Sequence, residues 1–282
     1  MSLSSRAISL TIMLAATLMS TVQADMTRKN PGINPDIVKA SNQLAVGAGM
    51  LEQDYREFND GLVPSLPAIL DSESGRITSL RFSYTGMIRQ LYVQANLNYS
   101  TGDTDYVGYL QSSGPPVTYT PFNTTTDNQI VDILVRVGYA FRAGASVVLI
   151  PYGEMGNYMW ERDVGPSTPY GITEDYFHMN FSLGAKALYS PIDRLVLELG
   201  GGYGTTFFST MTVDGYDYEL GDKPYMSAYA SLDYRFVTNW HLKWSADYRK
   251  WEYGQSDIVA GYLEPHSRTE QTQYLMSVGY NF

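Results

Sequence analysis

The last nine residues of the chain alternate between large apolar side chains and side chains that are mostly small or polar. Successive side chains of a β-strand point to opposite faces, so a period of two places every large residue on one side. Lipid suits that side, while the small and polar residues suit a crowded or wet interior. The large residues are Tyr274, Met276, Val278, Tyr280 and Phe282. They predict a membrane-barrel strand that stops at the last residue.

The same five residues resemble the terminal strand of bacterial outer-membrane β-barrels, which typically end on phenylalanine. The resemblance implies an all-β fold, an antiparallel transmembrane β-barrel, in the outer membrane of a Gram-negative cell. It also implies that this strand is an assembly signal read by the barrel-assembly machinery.

Nine further segments show the same alternation. They are 44–50, 77–86, 91–99, 130–141, 147–158, 176–189, 195–203, 224–236 and 241–253. With the last strand they predict ten strands, an even number that suits a single-chain bacterial barrel. In the fifth segment Pro151 lacks a hydrogen-bond donor, which predicts a β-bulge. Eight or twelve strands are the alternatives, because residues 103–110 and 117–122 either extend a hairpin above the membrane or add one within it.

The amino-terminal residues predict export. Arg6 precedes an apolar run over residues 7–19, and Val22-Gln23-Ala24 offers the small residues that a signal peptidase requires. The expected parts are a signal peptide (1–24), an irregular periplasmic segment (25–41) and a transmembrane barrel with long outer loops (42–282). The sequence contains no Cys, which excludes a lipoprotein anchor and disulfides.

Composition favours a β-barrel over a transmembrane helix and over a soluble periplasmic protein. After the signal, no window of about eighteen residues is free of charged and turn residues, so no transmembrane helix is predicted. Only helices and closed barrels span lipid, so the exported chain is a barrel or is soluble in the periplasm. The 24 Tyr and 25 Gly favour the barrel, since Tyr is enriched at membrane interfaces and Gly at tight turns and crowded interior positions.

The links between the predicted strands alternate in length. Short links lie near 86–90, 142–145, 190–193 and 237–239, and the others run roughly fifteen to twenty-five residues. Periplasmic turns are short and outer loops long in such barrels, so we expect both barrel termini in the periplasm.

The predicted inward faces collect charged residues of both signs in nearly equal number. Opposite charges in a narrow lumen pair with one another, whereas a lumen of one sign would indicate an ion-selectivity ring. We therefore predict a non-enzymatic surface or structural barrel, with a narrow porin-like passive channel for small solutes as the alternative. The predicted lumen charges are Arg81, Asp132, Arg136, Glu154, Lys186, Glu198, Asp233, Arg235, Lys243, Asp247 and Arg249.

The net charge of −10 then lies mainly on the outer loops. A solvated acidic surface is the favoured interpretation, and binding of divalent cations that bridge to lipopolysaccharide phosphates is the alternative. Outer-membrane lipid and lipopolysaccharide are the expected partners, and nucleic acid is not. Two links, 62–70 and 106–122, contain too many apolar residues for polar tips; they fold over the barrel mouth, pack among themselves or contact a partner.

An omptin-like rim hydrolase is a weaker alternative. The paired acids and the Asp-x-His motif of omptins are absent, as is the His-x-Ser arrangement of lipid A deacylases. The three histidines also lack suitable neighbours: Asp175 falls on the opposite strand face from His178, His241 is placed at the periplasmic end, and Ser267 diverges from His266. We therefore predict no enzymatic activity, no cofactor and no metal site.

Overall fold

The computed structural model describes residues 32–112 and 116–282, so the predicted signal peptide and residues 25–31 lie outside it. Ten antiparallel strands follow one another around a closed barrel, with the first strand paired to the last and β8 paired to β10. This confirms the predicted fold class and strand number. The barrel strands are β1 (Gln43–Phe58), β2 (Ile69–Ile88), β3 (Leu91–Gln111), β4 (Tyr119–Tyr139), β6 (Val147–Val164), β7 (Ile172–Ile192), β8 (Leu195–Val213), β10 (Pro224–Arg235), β11 (Trp240–Tyr253) and β12 (Ser267–Asn281). Two short strands, β5 (Phe141–Arg142) and β9 (Tyr216–Glu219), pair with β6 and β8.

The alternating pattern correctly identifies the outward faces of the strands. On β12, Met276 is 56% exposed while its neighbour Leu275 is 4% exposed. On β1, Leu44, Val46 and Met50 are between 51% and 57% exposed. These apolar side chains form a band around the barrel, as lipid contact requires.

The strands are longer than the apolar pattern predicted. A membrane crossing needs about 9–11 residues per strand, whereas β3 and β4 have 21 each, so about ten residues of each project beyond the band. Outward-facing charges mark the edge of the band; this charged belt is Glu52, Arg76, Asp103, Asp127, Glu161, Asp175, Lys250 and Glu270. We call the strand segments beyond the belt the projecting wall. Residues 103–110 and 119–122 therefore extend a hairpin above the band and add no further crossing.

The predicted long links are mostly strand. The five connections at the projecting end are 7 to 13 residues long, against the roughly fifteen to twenty-five expected, because the strands continue into them. We call this the long-loop end. At the opposite end the connections are 89–90, 143–146, 193–194 and 236–239, and we call it the short-turn end.

The predicted bulge at Pro151 is wrong. Gly138 pairs with Tyr152 on one side of the proline and Phe141 pairs with Leu149 on the other, which is one unbroken register. Because Pro has no N–H, the β4–β6 ladder is interrupted there without an inserted residue.

The segment 25–41 is not irregular throughout. Helix α1 (Pro35–Ala40) starts with Pro at its first turn, and the Asn34 side chain caps it by accepting a hydrogen bond from the Asp36 N–H at 2.8 Å. Ile37 is fully buried and packs against inward residues of the barrel, among them Tyr92 and Ile150. The helix therefore closes the short-turn end of the barrel. Within residues 32–112 and 116–282, no helix is long and apolar enough to cross a membrane.

Phe282 lies at the seam between the first and last strands. Its ring is 44% exposed and stacks on Tyr84 at 6.0 Å between centroids. We expect Phe282→Ser to reduce the assembled protein in membranes several-fold, because the substitution removes an apolar anchor and the proposed terminal signal. Immunoblots of membrane fractions, with heat-modifiable gel mobility as the criterion of folding, measure this.

Phe236→Ser is the matched control, because Phe236 is an equally exposed aromatic residue beyond the end of β10. Normal levels of Phe282→Ser, or an equal loss in Phe236→Ser, would contradict a special role for the last residue.

Candidate functional site

The predicted lumen charges all lie at inward-facing positions, and most of them pair with one another. Arg136 binds Glu154 at 2.6 Å with side chains that are almost fully buried. The other pairs are Arg81–Asp247 (2.8 Å), Arg249–Asp132 (2.7 Å), Lys186–Glu198 (3.0 Å) and Lys243–Glu198 (3.3 Å). These contacts link neighbouring and opposite walls of the barrel, so the charges act as internal bracing.

Two of the predicted charges have partners outside that set. Asp233 contacts the His241 ring at 2.5 Å and accepts a hydrogen bond from Gln43 at 2.8 Å. Arg235 binds Asp36 of α1 at 2.6 Å, and the other Asp36 oxygen accepts the Arg194 N–H at 2.9 Å. These contacts fasten the helix across the short-turn end.

Two small cavities lie among the lumen charges. A cavity beside Lys186 and Glu198 has about 10 Å³, and one beside Arg81 and Asp132 has about 20 Å³. One water molecule needs at least about 10–15 Å³. At these two levels the lumen has room for about one water molecule per cavity.

An aromatic layer fills the barrel above the charge pairs. Trp160 stacks on Tyr176, and Tyr176 stacks on Tyr253. His178 belongs to this layer: its Nδ1 lies 2.7 Å from the Tyr253 hydroxyl and its ring stacks on Tyr158. The layer separates the lumen charges from the long-loop end.

Five carboxyl groups surround one guanidinium above the aromatic layer. Arg162 is 1% exposed; its Nε lies 2.8 Å from Glu73 and its Nη1 lies 2.7 Å from Glu174. Glu57 and Asp71 lie 3.6 Å from the same guanidinium. Glu264 joins them through Tyr176, which donates a hydrogen bond to it at 2.7 Å. We call Glu57, Asp71, Glu73, Glu174 and Glu264, with Arg162, the acidic cluster.

Neighbouring polar groups hold the acidic cluster in place. Thr104 donates a hydrogen bond to Glu73 at 2.6 Å, and Tyr55 donates one to Glu57 at 2.8 Å. The Arg162 guanidinium lies over the Tyr55 ring at 4.6 Å from the centroid. Because every member of the cluster except Glu264 stands on a paired strand of the projecting wall, the geometry of the cluster depends mainly on the ladders.

Burial and mutual repulsion keep part of the acidic cluster protonated. Burial raises the pKa of Asp71 to about 6, although the Arg162 guanidinium opposes the shift. Burial, together with the charge of Glu174, raises the pKa of Glu264 to about 8. The pKa of Glu57 is also well above its usual value, through burial and the nearby Asp71. At neutral pH the Glu264 carboxyl therefore holds a proton that it loses as the pH rises through about 8.

An open cleft of about 430 Å³ lies over the acidic cluster at the barrel mouth. Its floor includes Glu57, Asp71, Glu174 and Glu264. The main wall residues are Leu62, Leu66, Tyr106, Tyr109, Tyr119 and Tyr262. We call this space the mouth cleft. Residues 62–70 and the described parts of link 106–122 therefore place apolar side chains over the barrel mouth, one of the arrangements that the composition of these links predicted.

Sequence reasoning placed four carboxylates of the acidic cluster on solvated outer loops: Glu57, Asp71, Glu73 and Glu264. The structure instead buries Glu57, Asp71, Glu73 and Glu264, with at most 8% of each residue exposed. The alternation Gln53, Tyr55, Glu57 continues the inward face of β1 and is the signal that identifies this position. It was missed because beyond the lipid band both strand faces are polar.

The three histidines lie at separate places in the described part of the chain. His266 contacts Asp60 at 3.0 Å and Glu252 at 3.5 Å, but it packs on Phe58 on the outside of the wall. Ser267, the adjacent residue, points inward and is fully buried. Residues 32–112 and 116–282 contain no group of three or more His, Asp or Glu side chains arranged to hold a metal ion.

Comparison with known proteins identifies the fold. No family model and no curated protein matches the sequence. Among solved structures, the outer membrane protease OmpT from Escherichia coli matches with a TM-score of 0.55 and 13% identity, over 86% of this chain and 97% of OmpT. The translocator domain of the autotransporter NalP from Neisseria meningitidis has a TM-score of 0.43 and 13% identity, over 94% of this chain and 98% of that domain. The closed ten-stranded barrel and its likeness to OmpT give this chain the fold of a bacterial outer-membrane β-barrel.

Proposed function

We propose that the protein is an integral outer-membrane barrel that does not conduct solutes and binds a ligand at the cell surface through the mouth cleft. The observation that carries the proposal is an open cleft of about 430 Å³ above a filled lumen. Small-molecule sites are usually concave, largely apolar and about 300–1,000 Å³ in volume, with a few polar groups that orient the ligand. The mouth cleft is concave, has a volume in this range and combines apolar walls with a charged floor, while the lumen below it contains cavities of about 10 and 20 Å³.

In this proposal residues 1–24 direct export and are removed. The short-turn end, with α1 and both barrel termini, lies in the periplasm, and the long-loop end lies outside the cell, because outer loops are the longer ones in such barrels. Outer-membrane lipid and lipopolysaccharide contact the apolar band, and the assembly machinery reads the five outward residues of β12.

The porin-like alternative has less support, because three successive layers obstruct the lumen. Helix α1 closes the short-turn end, the charge pairs fill the middle and the aromatic layer lies above them. A rim hydrolase has less support still, since the three histidines lie in the aromatic layer, at the short-turn end and on the outer wall.

Planar-bilayer recording tests the absence of conduction. We expect no steady current from refolded protein, and none from Arg136→Ala, because the aromatic layer and α1 remain after that charge pair is lost. Heat-modifiable mobility and circular dichroism show that each sample is folded. A steady ohmic current that increases in Arg136→Ala would contradict the proposal and establish a water-filled path controlled by lumen charge.

A further inference from the structure

Asp71 presents an unsatisfied carboxylate oxygen at the floor of the mouth cleft. The residue is 8% exposed, and its buried Oδ1 accepts no hydrogen bond from a backbone, amide, hydroxyl or cationic donor; the neighbouring group within reach of the Asp71 carboxylate is the Glu57 carboxyl. Its Oδ2 receives the Tyr106 hydroxyl at 3.2 Å and lies 3.6 Å from Arg162. Buried carboxylate oxygens are normally satisfied, because leaving one without a donor is costly. The position is therefore suited to a positively charged or hydrogen-bond-donating group supplied by a ligand.

The charge of the floor favours a positively charged ligand group over a negatively charged one. Five carboxyl groups and one guanidinium make up the acidic cluster, so acidic groups outnumber the cation and the floor becomes more negative as Asp71 and Glu264 lose their protons. The mutual repulsion of these carboxylates disfavours their ionised forms. A positively charged group in the cleft relieves this repulsion, whereas an anion adds to it.

The walls of the cleft favour a ligand that carries apolar groups as well as a positive charge. Tyr106, Tyr109, Tyr119 and Tyr262 supply aromatic surface, and Leu62 and Leu66 supply aliphatic surface. Aromatic faces attract cations, most strongly where water is excluded. A hydrated inorganic cation makes no use of the aliphatic surface, but an organic cation does.

We propose that the mouth cleft binds a monovalent organic ammonium ion that carries an apolar group, with the cation beside Asp71 and Glu264 and the apolar group between the tyrosines. This inference rests on the proposed function, because it assigns a ligand class to the same cleft. It adds that recognition depends on positive charge and apolar surface together.

Isothermal titration calorimetry of the refolded protein in nonionic detergent tests the ligand class, with titrations into detergent alone subtracted. Benzyltrimethylammonium serves as the probe because its charge does not change with pH, and benzyl alcohol is the neutral comparison. We expect saturable binding of the cation that is at least about tenfold tighter than binding of the alcohol, which corresponds to about 1.4 kcal/mol.

Single variants separate the contributions of charge and wall. Asp71→Asn retains the shape of the side chain and should weaken the binding of benzyltrimethylammonium about tenfold. Tyr262→Ala should also weaken it, and because Tyr262 is 61% exposed the fold tolerates the change. Asp214→Asn removes one negative charge at the turn between β8 and β9, outside the cleft, and should leave the affinity unchanged.

The affinity should also rise with pH. The titratable groups around the ligand position come from five strands and one loop: Tyr55 and Glu57, Asp71 and Glu73, Tyr106, Arg162, Glu174 and Tyr176, and Glu264. Between pH 5.5 and 8.5, Asp71 and Glu264 lose protons, so the negative charge increases and the cation binds more tightly. Asp71→Asn should show a smaller increase than the unsubstituted protein.

Equal binding of cation and alcohol, unaffected by Asp71→Asn, would overturn the ligand class and leave a binding cleft for neutral apolar molecules. Binding of the cation that Asp214→Asn weakens as much as Asp71→Asn would overturn the assignment to this site. Failure of the proposed function is a separate result: steady current in the planar bilayer would contradict the closed lumen, and binding of neither the cation nor the alcohol would contradict a ligand-binding cleft.

Discussion

Arg162→Met is expected to lower the free energy of unfolding by about 3–5 kcal/mol, because it removes the cation at the centre of the acidic cluster. The substitution approximately preserves the length of the side chain but leaves four neighbouring carboxyl groups without their counter-ion. Like charges that are buried without compensation destabilise a fold far more than an exposed pair stabilises it. Reversible urea unfolding in lipid vesicles, followed by tryptophan fluorescence, gives the difference at pH 8.

Arg76→Met is the matched control, since Arg76 is 71% exposed and pairs with Glu52 on the outside of the wall. Its loss should cost at most about 1 kcal/mol. For Arg162→Met the deficit relative to the unsubstituted protein should shrink as the pH is lowered from 8.5 to 5. Asp71 and Glu264, with pKa values already raised to about 6 and about 8, take up protons in this range and the repulsion decreases. Similar losses for the two variants, or a deficit that grows on acidification, would show that charge pairing does not hold the wall together.

Gly49→Ala is expected to destabilise the closed barrel by more than about 3 kcal/mol, at the upper end of the cost of overpacking. Gly49 lies on β1 opposite Leu275 of β12, within the seam that joins the first strand to the last. A Cβ at this position meets the backbone carbonyl of Tyr274, which no change of side-chain rotamer can relieve. The strands must separate locally, and the ladder at the seam weakens. Heat-modifiable mobility and urea unfolding both measure the effect.

Gly153→Ala makes the same chemical change on β6, where an added Cβ meets only Leu183 at 4.0 Å. Its effect should stay within about 0.5 kcal/mol. Equal stability of Gly49→Ala and Gly153→Ala would contradict this explanation, because it would show that the close approach of β1 and β12 does not require glycine at position 49.

The barrel and its outward faces were predictable from sequence because lipid imposes a strong pattern. Leu44, Val46 and Met50 alternate with smaller residues, and the alternation ends where lipid contact ends. Beyond Glu52 both faces of β1 are polar, so the hydrophobic signal disappears while the ladder continues. The predicted strands were therefore too short and the loops too long for a single physical reason.

Much less of the candidate site was predictable. The sequence assigned Arg136 and Glu154 to one lumen, but it is the register of the β4–β6 ladder that makes them direct partners at 2.6 Å, and register is not encoded in either residue alone. The acidic cluster draws on β1, β2, β6, β7 and the loop before β12, which are far apart in sequence. Helix α1 was missed because six residues are too few for a periodic pattern, and packing against the barrel stabilises it.

The charged floor and the apolar wall of the mouth cleft can evolve at different rates. Most of its charged floor stands on paired strands, where a change in backbone length would shift the register of the whole ladder. Much of its wall comes from the connections 59–68 and 254–266, which can accept insertions and substitutions without altering strand pairing. Related chains under different selection are thus free to diversify their ligand preference by exchanging these two connections while inheriting the same barrel and the part of the charged floor that the strands carry.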